Sequence, residues 1–361
     1  IQRSDAQRGE HAVFLSGNFP LVTVLQEALA RDKVEQEQQR GNRVSKADAL
    51  RSTSAFIQII HKYRDSFVGN DHIPPERVAI FDEAQRAWTQ DMIEKFMRTK
   101  KGVAEFPYSE PEFLISTMDR HQDWAVIVCL VGGGQEINTG EAGLPEWFDS
   151  LRRAFPDWDV YITPQLNDVE YRREREWQDM TSDLNIFERE KLHLATSVRS
   201  FRTPDLAAFI KAILDVNTER AKMLYQKIKD KYPVRLTRNL DVAKRWVREQ
   251  CQGRTRYGML ASSGALRLKP EGIFVKNDVS VANWFLNGKD DVRSSYYLED
   301  VVTEFDIQGL ELDYSLVAWD ADFRFDGTEW TYYNFVGNRW MNVKTDERKL
   351  YLKNAYRVLL T

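Results

Sequence analysis

The chain has 361 residues, more than one hydrophobic core usually supports, so we expect two domains. Its 42% hydrophobic and 29% charged residues exclude the disordered, collagen-like and low-complexity classes. The net charge of −4 excludes a global attraction to nucleic acid or acidic lipid, so any nucleic-acid contact must come from local patches. Two cysteines, no signal peptide and no apolar run long enough to span a bilayer predict a soluble, cytoplasmic protein without a membrane partner.

Short apolar runs alternate with stretches of helical length in the first half of the chain. The strand-like run 11–15 precedes a helix that starts near Pro20, because proline is favoured at the first helical position. A charged stretch, 31–51, is expected to be solvated or inserted, and a helix is expected over 55–63. Further strands are predicted at 77–81, 124–131 and 158–163. Strands separated by spacers of helical length predict βαβ units and a mainly parallel sheet.

The second half repeats this alternation after a boundary near residue 190, which predicts domains over 1–190 and 191–361. Its strands are predicted at 192–195, 234–236, 256–261 and 316–319. Its helices are predicted at 203–215, 218–231, 241–250 and 346–361. Two alternating runs, 330–335 and 338–343, are typical of an antiparallel hairpin.

The most informative motif is Asp82-Glu83-Ala84-Gln85, which directly follows a strand expected to be buried on both faces. Acids at the carboxyl end of such a strand lie where open α/β sheets bind ligands. Asp82 can hold Mg²⁺ through water, and Glu83 can deprotonate the water that attacks a nucleoside triphosphate. The alternative is a capped start of a helix after a strand, which these residues alone do not exclude.

Three further segments adjoin predicted strands. Residues 132–135 form a Gly-Gly-Gly-Gln loop, in which backbone amides can approach phosphate and Gln135 can sense a γ-phosphate. Arg199 can stabilise charge on a transferring phosphoryl group, although a surface arginine is the simpler interpretation. Residues 303–313 lead into a strand, which an ordinary turn would also explain. No GxxxxGK[ST] loop occurs in the chain.

Taken together and in this order, the motifs resemble those of superfamily 1 helicases and, more narrowly, the Schlafen group 3 DNA/RNA helicase domain. The resemblance covers nearly the whole chain. The segments similar to motifs Ia, II (Walker B), III, IV and V are 16–18, 82–85, 132–135, 194–200 and 303–313, in that order. The last helix resembles the approach to motif VI. Such proteins are α/β, with two RecA-like P-loop NTPase domains of mainly parallel sheets flanked by helices.

The resemblance implies that ATP and Mg²⁺ bind between the two domains. Asp82 would hold the Mg²⁺ through water, and Glu83 would activate the attacking water. Gln85 and Gln135 would couple the state of the γ-phosphate to the cleft. Arg199 would act as the arginine finger.

The resemblance also assigns roles outside the hydrolytic centre. Gly309 and Glu311 would contact the nucleotide. Gln308 would link the nucleotide to nucleic acid. The residues expected along the path of single-stranded DNA or RNA are Ser16, Asn18 and Thr303.

The chain departs from the family pattern in three places. Gly133 stands where motif III usually has an acid, and both the Walker A loop and the motif VI arginine are absent. We expect the last two just beyond the ends of the chain, which would then be a fragment that does not hydrolyse ATP unaided. The implied function of the intact protein is an ATP-dependent, nucleic-acid-stimulated helicase or translocase. The alternative is a nucleotide-gated interaction module, or pseudo-ATPase, that switches a partner such as a nuclease of a defence system without unwinding.

Aromatic residues beside basic ones are candidate platforms for single strands, at 284–285, 293–297 and 330–333. Core packing explains these aromatic residues at least as well. The predicted helix over 217–231 is interpreted as a charged outer face above an apolar stripe.

Overall fold

A computed structural model describes residues 11–103, 105–132, 143–167, 175–194, 204–251, 253 and 255–361. The chain divides into two compact units, Ile1–Ala195 and Thr196–Thr361. Both contain parallel sheets flanked by helices, so the predicted α/β class is confirmed. None of the helices described is both long enough and apolar enough to cross a membrane.

The first unit is built on a four-stranded parallel sheet in the order β2-β1-β3-β4. Its strands are β1 (His11–Ser16), β2 (Ile57–Ile59), β3 (Glu76–Asp82) and β4 (Val126–Cys129). Alternate side chains of the central strands β1 and β3 are buried in one core: Val13, Leu15, Ala79 and Phe81. The register places Ser16 opposite Asp82, so the carboxyl ends of the two central strands coincide.

Seven helices of the first unit surround its sheets in the described residues. They are α1 (Phe19–Gln39), α2 (Lys46–Phe56), α3 (Ile60–Phe67), α4 (Gln90–Phe96), α5 (Glu110–Met118), α6 (Gly143–Ala154) and α7 (Trp177–Thr181). Asn18 caps α1, because its Oδ1 accepts a hydrogen bond from the Leu21 amide at 3.2 Å.

One prediction for this region is confirmed and one is wrong. The charged stretch 31–51 is solvated as expected, since most of its residues are exposed, and much of it is helical, because α1 runs to Gln39 and α2 begins at Lys46. Its charges are compatible with helix because both Arg31 and Lys46 pair with the Glu27 carboxylate at 2.6 Å. The helix expected over 55–63 is interrupted by β2, because Ile57 and its neighbours pair with β1 as an edge strand.

Strand β4 confirms a strand within 124–131, and its residues are only partly buried. Val126 and Val128 are 43% and 38% exposed. Within the described residues β4 pairs only with β3, so it lies at an edge of the sheet. Alternate side chains of β4 therefore point away from the core.

A separate two-stranded parallel sheet joins β5 (Asp159–Ile162) and β6 (Asn185–Glu188). The first confirms the strand predicted at 158–163, whereas the second was not predicted. The strand expected at 192–195 is wrong in its described part, because Leu192 ends a single 3₁₀ turn and residues 193–194 are irregular. Residue 195 lies outside the described residues.

The second unit contains a parallel sheet in the order β8-β7-β9 and an antiparallel sheet in the order β10-β11-β12. The strands are β7 (Tyr257–Ala261), β8 (Val301–Val302), β9 (Tyr314–Ala318), β10 (Phe323–Phe325), β11 (Trp330–Val336) and β12 (Arg339–Asn342). The helices are α8 (Pro204–Leu214), α9 (Thr218–Ile228), α10 (Leu240–Gln250), α11 (Val281–Leu286), α12 (Glu304–Ile307) and α13 (Asp346–Leu360).

The predicted strands at 256–261 and 316–319, the terminal hairpin and the four helices are confirmed. The strand expected at 234–236 is wrong. This segment is an irregular connection between α9 and α10 in which Leu236 is 99% exposed. An apolar pair at strand spacing does not form a strand where no neighbouring strand offers hydrogen bonds.

Candidate functional site

Two predicted residues meet at the carboxyl ends of the central strands of the first unit. The Ser16 hydroxyl, which is fully buried, donates a hydrogen bond to Oδ2 of Asp82 at 3.5 Å. The Asn18 amide donates to the same hydroxyl oxygen at 3.2 Å. Ser16 therefore joins the start of α1 to the acid at the end of β3.

Glu83 turns the chain sharply after β3. Its backbone is in the left-handed region, with φ 54° and ψ 45°. For a non-glycine residue this conformation costs about 1–2 kcal/mol and must be held by the surroundings. Two hydrogen bonds of the next residue keep the backbone in this conformation. The Ala84 amide donates to the Leu130 carbonyl at 2.9 Å, and the Ala84 carbonyl accepts from Trp147 Nε1 at 2.8 Å.

Gln85 connects the acidic motif to the segment that follows β4. Its Nε2 donates to Glu83 Oε2 at 2.5 Å, and its Oε1 accepts from the Gly132 amide at 3.1 Å. The Gln85 side chain is only 4% exposed. A Cβ added at Gly132 would lie 3.7 Å from Glu83 Oε2, so the Gly132 backbone runs close to that carboxylate.

The structure therefore brings together the predicted Ser16, Asn18, Asp82, Glu83 and Gln85 at one edge of one sheet. Ligands of open α/β sheets bind at this edge. Two other predicted catalytic residues, Gln135 and Arg199, lie outside the described residues.

A buried ion pair, which sequence reasoning missed, contacts the segment that follows this motif, since Glu110 accepts a hydrogen bond from the Trp88 amide. The Arg64 guanidinium donates to Glu110 Oε1 at 3.0 Å, and both side chains are almost inaccessible. Burial alone would raise the pKa of Glu110, but the hydrogen bond with His61 and the charge of Arg64 hold it below its usual value. Residues 46 positions apart give no sequence signal for such a pair.

The motif V residues of the second unit lie around α12. Thr303 and Asp306 form a capping box at the start of this helix. The Thr303 side chain accepts from the Asp306 amide, and Asp306 Oδ2 accepts from the Thr303 amide and hydroxyl at 2.8 and 2.7 Å. Gly309 has φ +81°, a conformation that glycine adopts without strain. Gln308 is half-buried and Glu311 is exposed. The segment is thus a built turn between β8 and β9, in agreement with the structural alternative.

A second polar cluster, also missed, lies at the carboxyl edge of the sheet of the second unit. After β7, the Ser263 amide and hydroxyl donate to the Glu304 carboxylate at 2.9 and 2.7 Å. The Ser262 hydroxyl and Tyr356 OH donate to Asp322 at 2.8 and 2.6 Å. Burial raises the pKa of both Glu304 and Asp322. A Ser-Ser-Gly run directly after a predicted strand was the available signal.

The predicted aromatic platforms belong largely to the core. Trp284 is fully buried, Tyr296 is 8% exposed and Trp330 stacks on Phe323 at 4.3 Å between ring centroids. The two cysteines, Cys129 and Cys251, are free thiols. Across the part of the chain that the structure describes, no group of three or more His, Cys, Asp or Glu residues is placed to hold a metal ion.

One comparison with known proteins agrees with the motif resemblance. A family model described as Schlafen group 3, DNA/RNA helicase domain, matches residues 1–361. No curated protein and no solved structure matches the chain significantly.

Proposed function

Since the chain belongs to the Schlafen group 3, DNA/RNA helicase domain family, we propose that it is an ATP-dependent motor with two RecA-like domains that translocates on, or unwinds, single-stranded DNA or RNA. The observation that supports this most directly is the meeting of Ser16, Asp82 and the Glu83–Gln85–Gly132 chain of hydrogen bonds. It lies at the sheet edge where α/β proteins bind nucleotides.

The oxygen groups at this edge fit Mg²⁺. This ion takes one or two carboxylates together with substrate phosphates and waters, so it needs no cluster of three acids. Asp82 would hold it through water, and the Ser16 hydroxyl orients the Asp82 carboxylate. When bound, Mg²⁺ would neutralise charge on the phosphates.

Glu83 would accept the proton of the attacking water. Its strained backbone and its hydrogen bond from Gln85 fix the direction of the carboxylate. Because the other end of the Gln85 amide holds the Gly132 backbone, a shift in the loop after β4 reaches Glu83 through a single side chain. Gln85 would thus couple the γ-phosphate state to the catalytic acid.

The remaining roles complete the proposal. Gln135 would act beside Gln85, and Arg199 would stabilise the transferring phosphoryl group. Gly309 and Glu311 would contact the nucleotide. Asn18, Thr303 and Gln308 would follow the nucleic-acid strand, whereas Ser16, expected on the same path, is fully buried and would act through Asp82. No GxxxxGK[ST] loop occurs in these 361 residues, so we assign no phosphate-binding lysine among them.

The test is Glu83→Gln in the intact protein. Loss of a general base lowers turnover by about 10²–10⁴-fold, while ATP binding should stay close to that of the unchanged protein. Glu105→Gln is the matched control, because Glu105 is exposed and lies in the same unit. Turnover that survives Glu83→Gln would remove Glu83 from the mechanism.

The second candidate function is a nucleotide-gated switch that regulates a partner such as a nuclease. The net charge of −4 favours it, because a motor that moves along nucleic acid more often carries a positive charge. A strand-displacement assay and a translocation assay, run beside ATP hydrolysis, separate the two functions. Hydrolysis without displacement or translocation would select the switch.

A further inference from the structure

One part of the second unit is strongly basic although the chain as a whole is acidic. The basic surface, defined as α9, the connection 229–239 and α10, contains ten Lys and Arg against four Asp and Glu. Its net charge is therefore +6 in a chain of net charge −4, which leaves −10 for all other residues. Such local segregation is the electrostatic footprint of a polyanion site.

Most of these cations are exposed and uncompensated. Within the described residues, seven of them contact no carboxylate: Arg220, Lys227, Lys229, Lys231, Arg235, Arg238 and Arg245. The other three are held in place, since Lys222 and Lys244 pair with glutamates and Arg248 donates to the Tyr297 carbonyl. A segment with this many unpaired positive charges differs from an ordinary solvated helix, in which charges of both signs usually alternate.

The surface is anchored to the core by its apolar side. Leu224, Ile228 and Val247 are buried, so one side of each helix packs on a core, while Met223 and Val242 stay exposed. The connection between the helices is irregular and outward-facing, with Arg235 and Arg238 on either side of the exposed Leu236. A helix that lies on a membrane instead turns its apolar face to the lipid.

We propose that this basic surface binds the phosphodiester backbone of nucleic acid. The assignment rests on the proposed function and adds the place on the second unit where the strand is held. Each of the seven exposed cations without a carboxylate partner can neutralise a phosphate, and binding through them would release counterions. The contacts would be independent of sequence, because lysine and arginine reach phosphates rather than base edges.

The experiment measures the binding of labelled oligonucleotides by fluorescence anisotropy in the absence of ATP. The probes are a DNA single strand of about 16 nucleotides, its RNA counterpart and the matching DNA duplex, between about 50 and 200 mM salt. The test variant carries Lys231→Gln, Arg235→Gln and Arg238→Gln. The control variant carries Arg43→Gln, Lys95→Gln and Lys100→Gln, three exposed cations of the first unit with the same loss of charge.

The test variant should bind a single strand roughly 100-fold more weakly at about 0.1 M salt, with a salt slope less steep by about 2, because each phosphate contact adds about 0.7 to that slope. The control variant should bind close to the unchanged protein. The duplex arm shows whether the surface prefers single strands.

Three results would overturn the assignment. Equal affinity and slope for the test variant and the unchanged protein would overturn it while leaving the proposed function intact. If the unchanged protein bound no probe, the nucleic-acid part of the proposed function would fail as well. Poly-glutamate serves as an additional probe. If the protein bound it but bound no oligonucleotide, the partner of this surface would be an acidic protein instead of nucleic acid.

Discussion

Glu110 and Trp88 hydrogen-bond to each other twice. The Glu110 amide donates to the Trp88 carbonyl, and the Trp88 amide donates to Glu110 Oε2, both at 3.0 Å. Trp88 follows the Asp82–Gln85 motif by three residues, so this pair fixes the far end of the segment that carries the candidate catalytic acids. The same carboxylate forms an ion pair with Arg64. The Glu110 side chain therefore both balances the buried charge of Arg64 and holds the backbone at Trp88.

Removing one partner of this buried ion pair should destabilise the first unit strongly. Arg64→Met removes the guanidinium from the buried Glu110 carboxylate and leaves it the contacts with His61 and the Trp88 amide. Breaking a buried ion pair in this way typically costs about 3–5 kcal/mol. Urea unfolding of the variant and of the unchanged protein measures the difference. Arg98→Met is the control, because the Arg98–Glu94 pair is exposed at 3.8 Å and such pairs contribute about 0–1 kcal/mol. A loss no larger than that of the control would show that the Arg64–Glu110 pair is dispensable.

Gln85 should matter more for turnover than for folding. Gln85→Leu keeps a similar volume but removes both hydrogen bonds, so the Glu83 carboxylate loses its orientation while β3 and β4 remain paired. A misplacement of about 1 Å in a catalytic group lowers rates by about 10²-fold. ATP hydrolysis and ATP affinity are measured in the intact protein, and the affinity should be almost unchanged. Parallel loss of affinity and rate would assign Gln85 to nucleotide binding instead of coupling.

A structural feature could be predicted from the sequence when the residues that form it are close together in the chain. Strand β3 and the acids after it were predicted because a short apolar run and the acids that follow it are both written in consecutive residues. The Gln85–Gly132 contact was not, since it joins positions 47 residues apart through the pairing of β3 with β4. The short strand β2 was hidden in a helical pattern for the same reason, because Ile57 becomes extended only through its pairing with β1.

In the motif V segment the local sequence predicts the structure but does not decide the function. Its sequence resembles a functional motif, and its capped turn would form whether or not the segment has that function. The cluster of Ser262, Ser263, Glu304 and Asp322 gathers three strand ends, which only the parallel order β8-β7-β9 brings to one edge. Its acids were therefore invisible as a group until the topology was known.

Gly258 should not tolerate a side chain. A Cβ at this position would lie 2.4 Å from Cζ2 of Trp284, which is fully buried. Gly258→Ala should therefore destabilise the second unit by about 1–3 kcal/mol, the usual cost of overpacking. Gly132→Ala is the matched control, because its Cβ would meet nothing closer than 3.5 Å. In the double variant Gly258→Ala/Trp284→Phe, the loss of unfolding free energy should be smaller than the sum of the losses in the two single variants. Urea unfolding measures all three losses. Full additivity would mean that the two residues do not clash.

The acids of the second unit should make its stability fall as pH rises. The folded protein holds the protons of Glu304 and Asp322 more tightly than the unfolded chain does, because burial raises the pKa of both groups. Their contribution is fully present below the ordinary values of 4.5 and 3.8 and is lost as pH rises through the raised pKa of each group. Asp322→Asn cannot lose a proton at this position, so the free energy of unfolding should depend less on pH than in the unchanged protein. Asp278→Asn, at an exposed position, is the control and should leave the pH dependence unchanged. Urea unfolding at a series of pH values from the acidic range to neutrality gives the three slopes, and identical slopes for Asp322→Asn and the unchanged protein would show that Asp322 keeps an ordinary pKa in the fold.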